Sequence, residues 1–136
     1  MEFKKLLLEL KSFNLPNDKF AVGGSGSLAV RGIREANDLD LVVSDGLWEE
    51  LLEKYSPVKD DDIGKAGINK IVLSKNIEVW GKFEGLFSAA EQIKTADEIE
   101  GIKYVNLEII KIIKTQYGRI EDQRDVMLIE KYLKEK

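Results

Sequence analysis

The chain has 136 residues, about one domain's length, and contains neither cysteine nor histidine. That excludes disulfide scaffolds, cysteine nucleophiles, Ser-His-Asp triads and imidazole or thiolate metal sites, so any metal must be held by oxygen, which favours magnesium, manganese or calcium. Hydrophobic residues at 43% and charged residues at 34% suit a soluble globular protein, and a net charge of −4 argues against a general affinity for nucleic-acid backbones while leaving room for a local basic groove.

Phe3, Leu6, Leu7, Leu10 and Phe13 fall on one helical face, which predicts an amphipathic helix ended by Asn14 and Pro16. The opening Met1-Glu2-Phe3-Lys4-Lys5 reads as the start of that helix rather than a leader, and a cytoplasmic address is expected. No apolar run approaches the roughly 18 residues of a membrane span, so no membrane association is expected. Phe20-Ala21-Val22 reads as a short strand running into the turn Gly23-Gly24-Ser25-Gly26-Ser27. A helix from Ser27 to Val30 or Arg31 follows, then a polar stretch from Gly32 to Asn37. Asp38-Leu39-Asp40-Leu41-Val42-Val43 alternates and then turns apolar, as a strand does when its first part is exposed on one face.

Ser44 can cap a helix with the stripe Leu47, Trp48, Leu51, Leu52 and Tyr55. Residues 59–67 read as a charged, glycine-containing loop. In it Asp60-Asp61-Asp62 lacks the glycine and terminal glutamate of an EF-hand, and Gly64-Lys65 lacks the rest of a P-loop. Lys70 to Leu73 and Ile77 to Trp80 read as a hairpin turning at Ser74-Lys75-Asn76. Leu86 to Ile93 is a short helix, and Ile102 to Val105 a short strand after the break at Gly101. Asn106 caps a helix carrying Leu107, Ile109, Ile110, Ile112 and Ile113, which Gly118 stops. The last helix opens with Glu121 and Asp122, suited to its N-terminal dipole, and its expected buried stripe is Val126, Ile129, Tyr132 and Leu133. Glu121, Asp122 and Asp125 read as a solvated helix start, and Trp48 and Trp80 as core or interface aromatics. With no repeat and no linker, residues 1–136 are expected to form a single α+β (α/β-type) domain, a mixed sheet flanked by helices with two helices at the C-terminus.

Two features stand at an informative spacing. On one strand Asp38 and Asp40 would point the same way, with α-carbons roughly 6.5 Å apart and Leu39 facing the core. Two like charges side by side need neutralising, and a divalent cation does so directly. The glycine-serine turn at a helix start offers the complementary half, free backbone N–H groups and a partial positive charge that glycines let phosphate oxygens approach. Ser27 adds a hydroxyl donor, and Arg34 between the two features has a planar fork suited to phosphate. Arg34 has a second reading, a pair with Glu35 or with an aspartate.

The stretch from Gly26-Ser27 through Asp38-Leu39-Asp40-Leu41 resembles the signature of the DNA polymerase β-like nucleotidyltransferase superfamily: a Gly-Ser pair, then Asp-hydrophobic-Asp-hydrophobic. Ala29 and Arg34 fall where minimal and kanamycin-type enzymes commonly carry alanine and arginine. Asn37 replaces their usual serine or threonine, and Gly32 is displaced by one residue. The double glycine Gly23-Gly24 is closer to the abortive-infection toxin and aminoglycoside branches, so either Gly24-Ser25 or Gly26-Ser27 fills the turn. Ile77-Glu78-Val79 is similar to the segment bearing the family's third carboxylate, with Glu78 for the usual aspartate, and the residues from Leu107 onward are similar to the closing helices of small relatives.

The resemblance implies a nucleotidyltransferase fold and a magnesium- or manganese-dependent transfer of a nucleoside monophosphate from a triphosphate such as ATP to an acceptor hydroxyl. Asp38, Asp40 and Glu78 would be the catalytic metal ligands, and Gly24, Ser25, Gly26, Ser27 and Arg34 would hold the nucleotide's phosphates. The helical acceptor domain of larger relatives is missing, which leaves a second copy or a small partner protein to complete the cleft. Family analogy offers an antibiotic, a protein side chain or an RNA end as acceptor. The alternative is a nucleotide- or partner-binding module that kept this fold without its catalysis.

Overall fold

A computed structural model describes residues 2–59, 69–81 and 87–136 of the chain. The elements run in the order α1 (Phe3–Ser12), β1 (Phe20–Gly23), α2 (Gly24–Val30), β2 (Leu39–Val43), α3 (Asp45–Leu52), β3 (Val58–Lys59), β4 (Asn69–Ser74) and β5 (Ile77–Trp80). Then follow α4 (Ala89–Lys94), β6 (Asp97–Ile99), β7 (Ile102–Tyr104), α5 (Leu107–Tyr117) and α6 (Ile120–Lys134). The fold is mixed α+β, with two C-terminal helices, as its hydrophobic periodicities require. The runs Asp60-Asp61-Asp62 and Gly64-Lys65, and Leu86, lie outside the described residues.

The strands form one mixed sheet in the order β3-β4-β5-β2-β1-β7-β6, with the two-residue β3 at one edge. β2 pairs antiparallel with β1 and parallel with β5, and β1 pairs parallel with β7. β4 and β5 form the expected hairpin, and β6 and β7 a second one around Glu100-Gly101. Neither β3 nor β6 was legible as a strand, since each has three residues or fewer and β6 is largely exposed.

Strand alternation gives the sheet two apolar faces. Val22, Leu39, Leu41, Val43, Ile77 and Val79 pack on one side with Leu6 and Leu10 of α1 and Leu47, Trp48 and Leu51 of α3. Ala21 and Val42 point the other way, joining Leu28 of α2, Ile93 of α4, Ile109 and Ile110 of α5 and Ile129 of α6. Side-chain caps fix where the helices on each face begin. Ser44 accepts from the Leu47 N–H at 3.2 Å, Ser88 from Glu91 at 3.1 Å and Asn106 from Ile109 at 2.9 Å. Glu9 of α1 accepts hydrogen bonds from Ser74 and Asn76, which ties α1 to the β4–β5 turn. No helix among the described residues is long and apolar enough to cross a membrane.

Three expectations change in position. α4 begins at Ala89, after its cap Ser88, rather than at Leu86. α2 begins at Gly24, three residues before the expected Ser27, because Gly23 still belongs to β1 and the chain turns directly into the helix. Leu133 is 36% exposed, while Asp122 and Asp125 take the inward side of α6 with Ile129. The stripe is therefore rotated from the apolar one, for the reason given below.

Candidate functional site

β2 sits centrally in the sheet, and its second residue is the site's centre. Asp40 stands in register with Gly23 of β1 on one side and with Glu78 of β5 on the other. Parallel in-register residues share a face, so the two carboxylates project side by side. That face is the one carrying Val42, opposite Leu39 and Leu41, and both acids are partly exposed there. Trp80, two residues beyond Glu78, donates its indole Nε1–H to Asp40 Oδ1 at 3.3 Å. Lys70 of β4, opposite Trp80 in the hairpin register, brings Nζ to 3.0 Å from Glu78 Oε2 and to 5.7 Å from the centre of the Trp80 ring.

The start of α2 closes over this row. Gly24 has φ +50°, a left-handed conformation that side chains rarely tolerate, and a Cβ placed there would lie 3.3 Å from Asp40 Oδ2. The helix start and the Asp40 carboxylate thus approach as closely as the absence of a side chain permits. Gly24 and Ser25 are both partly exposed.

Gly26 and Ser27 belong elsewhere. A Cβ on Gly26 would fall 2.5 Å from Val22 Cγ1 and 3.1 Å from Leu39 Cδ2, so this glycine exists to seat α2 against the sheet. Ser27 is fully buried; its hydroxyl donates to the Val105 carbonyl at 2.7 Å and accepts from Arg31 Nη1 at 2.7 Å. Of the turn glycines beyond β1, Gly24 is the one beside the Asp40 carboxylate, while Gly26 packs against the sheet.

Asp38 lies one residue before β2 and is exposed, so the strand alternation that would have paired it with Asp40 begins only after it. Among the described residues no three acidic side chains converge as a metal site. Asp40 and Glu78 are the pair that the sheet brings together. Asp38 also lies near Arg34, whose protonation its charge reinforces behind the stronger hold of Asp125.

Arg34 takes the second of its two readings. Its Nε and Nη2 donate to Asp125 Oδ1 and Oδ2 at 2.6 and 2.8 Å, a two-pronged ion pair with α6, and Nη1 donates to the Glu35 carbonyl at 2.8 Å. Lys114 of α5 adds its ammonium at 2.8 Å from Asp125 Oδ2 and 3.5 Å from Asp122 Oδ1. Arg119 covers Asp122 with Nε at 2.6 Å and Nη2 at 3.1 Å, and its backbone N–H donates to the same carboxylate at 3.3 Å. Burial pushes the Asp125 carboxyl up, but the hydrogen bonds and charges of Arg34 and Lys114 outweigh it and hold the carboxyl below its ordinary range. The same balance, with Arg119 and Lys114 as the cations, lowers Asp122. Glu121 is solvated as expected, but Asp122 and Asp125 form a buried ion network joining the 31–38 loop to the C-terminal helices. The signal was present in the three-residue spacing of Asp122 and Asp125 and its continuation to Ile129, which places all three on one face.

An open groove lies between the start of α1 and the loop after α2, lined in part by Phe3, Lys5, Ala29, Arg34 and Asn37; Asp40 and Glu78 are not among its walls. No family model matches the chain, and no curated protein matches it.

Proposed function

We propose that the chain is a nucleotidyltransferase of the DNA polymerase β-like type, transferring a nucleoside monophosphate from a triphosphate to an acceptor hydroxyl. One observation carries the reading: the row Gly23, Asp40 and Glu78 across three adjacent strands, with the helix start at Gly24 against Asp40. The donor set fits a hard cation, being all oxygen on a partly exposed face, and the position that a Cβ would fill at Gly24 leaves room for an approaching oxygen.

In this reading Asp40 and Asp38 would hold magnesium, with Glu78 beside them. When bound, the ion supplies charge neutralisation at the reacting phosphate. Gly24 and Ser25 present backbone N–H groups to the triphosphate, as the first turn of a helix leaves its donors unpaired. Trp80 fixes the Asp40 carboxylate by its indole hydrogen bond. Glu78 accepts the proton of the acceptor hydroxyl as its oxygen bonds to the α-phosphate and pyrophosphate departs. Arg34 and Ser27 support the site from behind, Arg34 by holding the loop that carries Asp38 and Ser27 by anchoring α2 to Val105.

A second reading, a binding module of the same fold without catalysis, is favoured by the fact that Glu78, Arg34 and Ser27 all hold protein partners. A magnesium-dependent screen with four α-labelled nucleoside triphosphates, alone and with candidate acceptors, separates the two. Transfer of label that Asp40→Asn abolishes while its circular dichroism stays native supports the enzyme. Magnesium-ATP binding by calorimetry without transfer supports the module, and transfer equal in wild type and Asp40→Asn refutes the mechanism.

A further inference from the structure

Glu78 carries a cation as its partner. The Lys70 ammonium stands 3.0 Å from Glu78 Oε2, on a strand fixed by the hairpin register and beside the Trp80 ring that steadies Asp40. Lys70 and Glu78 side chains are 20% and 31% exposed, so the pair is shielded from solvent on most sides and its attraction is only partly screened. A lysine ammonium is a compact charge on a flexible stem and can be displaced without rebuilding the sheet.

We propose that Lys70 is a built-in counter-cation that competes with a divalent ion for Glu78, so that Lys70 sets how tightly the site takes its metal. The inference rests on the magnesium-site reading above and adds a residue that the sequence pattern did not single out. With Lys70 in place, an ion that reaches the row is held by Asp40 with Asp38, and Glu78 joins only by releasing the ammonium. Removing the lysine's charge frees the second carboxylate and removes a repulsion within a few ångströms of the ion.

The test is manganese binding to the full chain, read from the loss of the free-ion electron paramagnetic resonance signal, with folding checked by circular dichroism. Lys70→Gln is expected to bind manganese about tenfold more tightly than wild type, whereas Lys70→Arg, which keeps the charge, binds as wild type does. Glu78→Gln in the Lys70→Gln background is expected to erase the gain, because the ion then has no second carboxylate to take. Should Lys70→Gln fail to fold, Lys70→Met, which removes the charge and keeps the stem, takes its place, and binding equal to wild type there overturns the proposal. Equal binding by wild type and Lys70→Gln, with Asp40→Asn abolishing both, overturns the role of Lys70 and leaves the metal site standing. Absence of manganese binding in wild type and in Lys70→Gln overturns the metal site and the inference together.

Discussion

Asp125→Asn tests how the C-terminal helices hold the loop before β2. The substitution keeps the size of the side chain and removes the charge that Arg34 grips at 2.6 and 2.8 Å and Lys114 at 2.8 Å. Removing one partner of a fully buried ion pair costs about 3–5 kcal/mol. Here the Arg34 side chain is 35% exposed and regains water, and Lys114 keeps Asp122, so the expected loss is about 2–3 kcal/mol. For a chain of this length that is a fall in Tm of about 6–15 °C at neutral pH. The pH dependence follows from the direction of the shift. Asp125 has a folded-state pKa below its unfolded value, so its contribution is complete above the unfolded value near 3.9 and is lost as pH falls through the lower folded one. The Tm curves of wild type and variant, followed by circular dichroism, are expected to stand apart at neutral pH and converge in acid. A Tm difference under about 2 °C at neutral pH, or one that persists undiminished once both carboxyls are protonated, would refute the reasoning.

The remaining predictions concern α2. Gly26→Ala must push a methyl group against Val22 and Leu39, and is expected to lower stability by about 1–3 kcal/mol in denaturant unfolding; an unchanged midpoint contradicts the packing role. Ser27→Ala leaves the buried Val105 carbonyl without its donor, and is expected to cost about 1–3 kcal/mol while leaving the KM for nucleotide unchanged. A raised KM with intact stability would return Ser27 to the phosphates. Gly24→Ala, at φ +50° and beside Asp40, is expected to cost about 1–2 kcal/mol and to weaken nucleotide binding; unchanged nucleotide affinity contradicts the placement of the turn.

Much of the fold was legible because each long element carries its own period and its own cap. Ser44, Asn106 and Gly118 each sit at a helix boundary, and the β4–β5 hairpin turns where its polar residues fall. The short edge strands β3 and β6 escaped, since β3 has two residues and β6 is largely exposed, so neither holds an apolar period, and their pairing is decided by the sheet. At the candidate site, Asp40 and Gly24 were visible from strand-turn-helix chemistry, and the resemblance to a nucleotidyltransferase supplied Glu78. Lys70 was not visible. Nothing near position 70 marks a site, and only the register Lys70-Trp80 within the hairpin carries the ammonium to the carboxylates. Asp38 lies one residue before the start of β2, so strand alternation alone does not set its place beside Asp40. Asp122 and Asp125 misled because charge was read as solvation, although three cations from separate parts of the chain converge to neutralise it.

The central claim is best tested by a crystal structure of the protein with manganese and ATP, using anomalous scattering to locate the ion. The account predicts an anomalous peak at ligand distance, about 2.0–2.2 Å, from the Asp40 carboxylate, with Asp38 completing the shell and the phosphates against Gly24 and Ser25. Nucleotide bound in the groove beside α1, with no ion at Asp40, would contradict it.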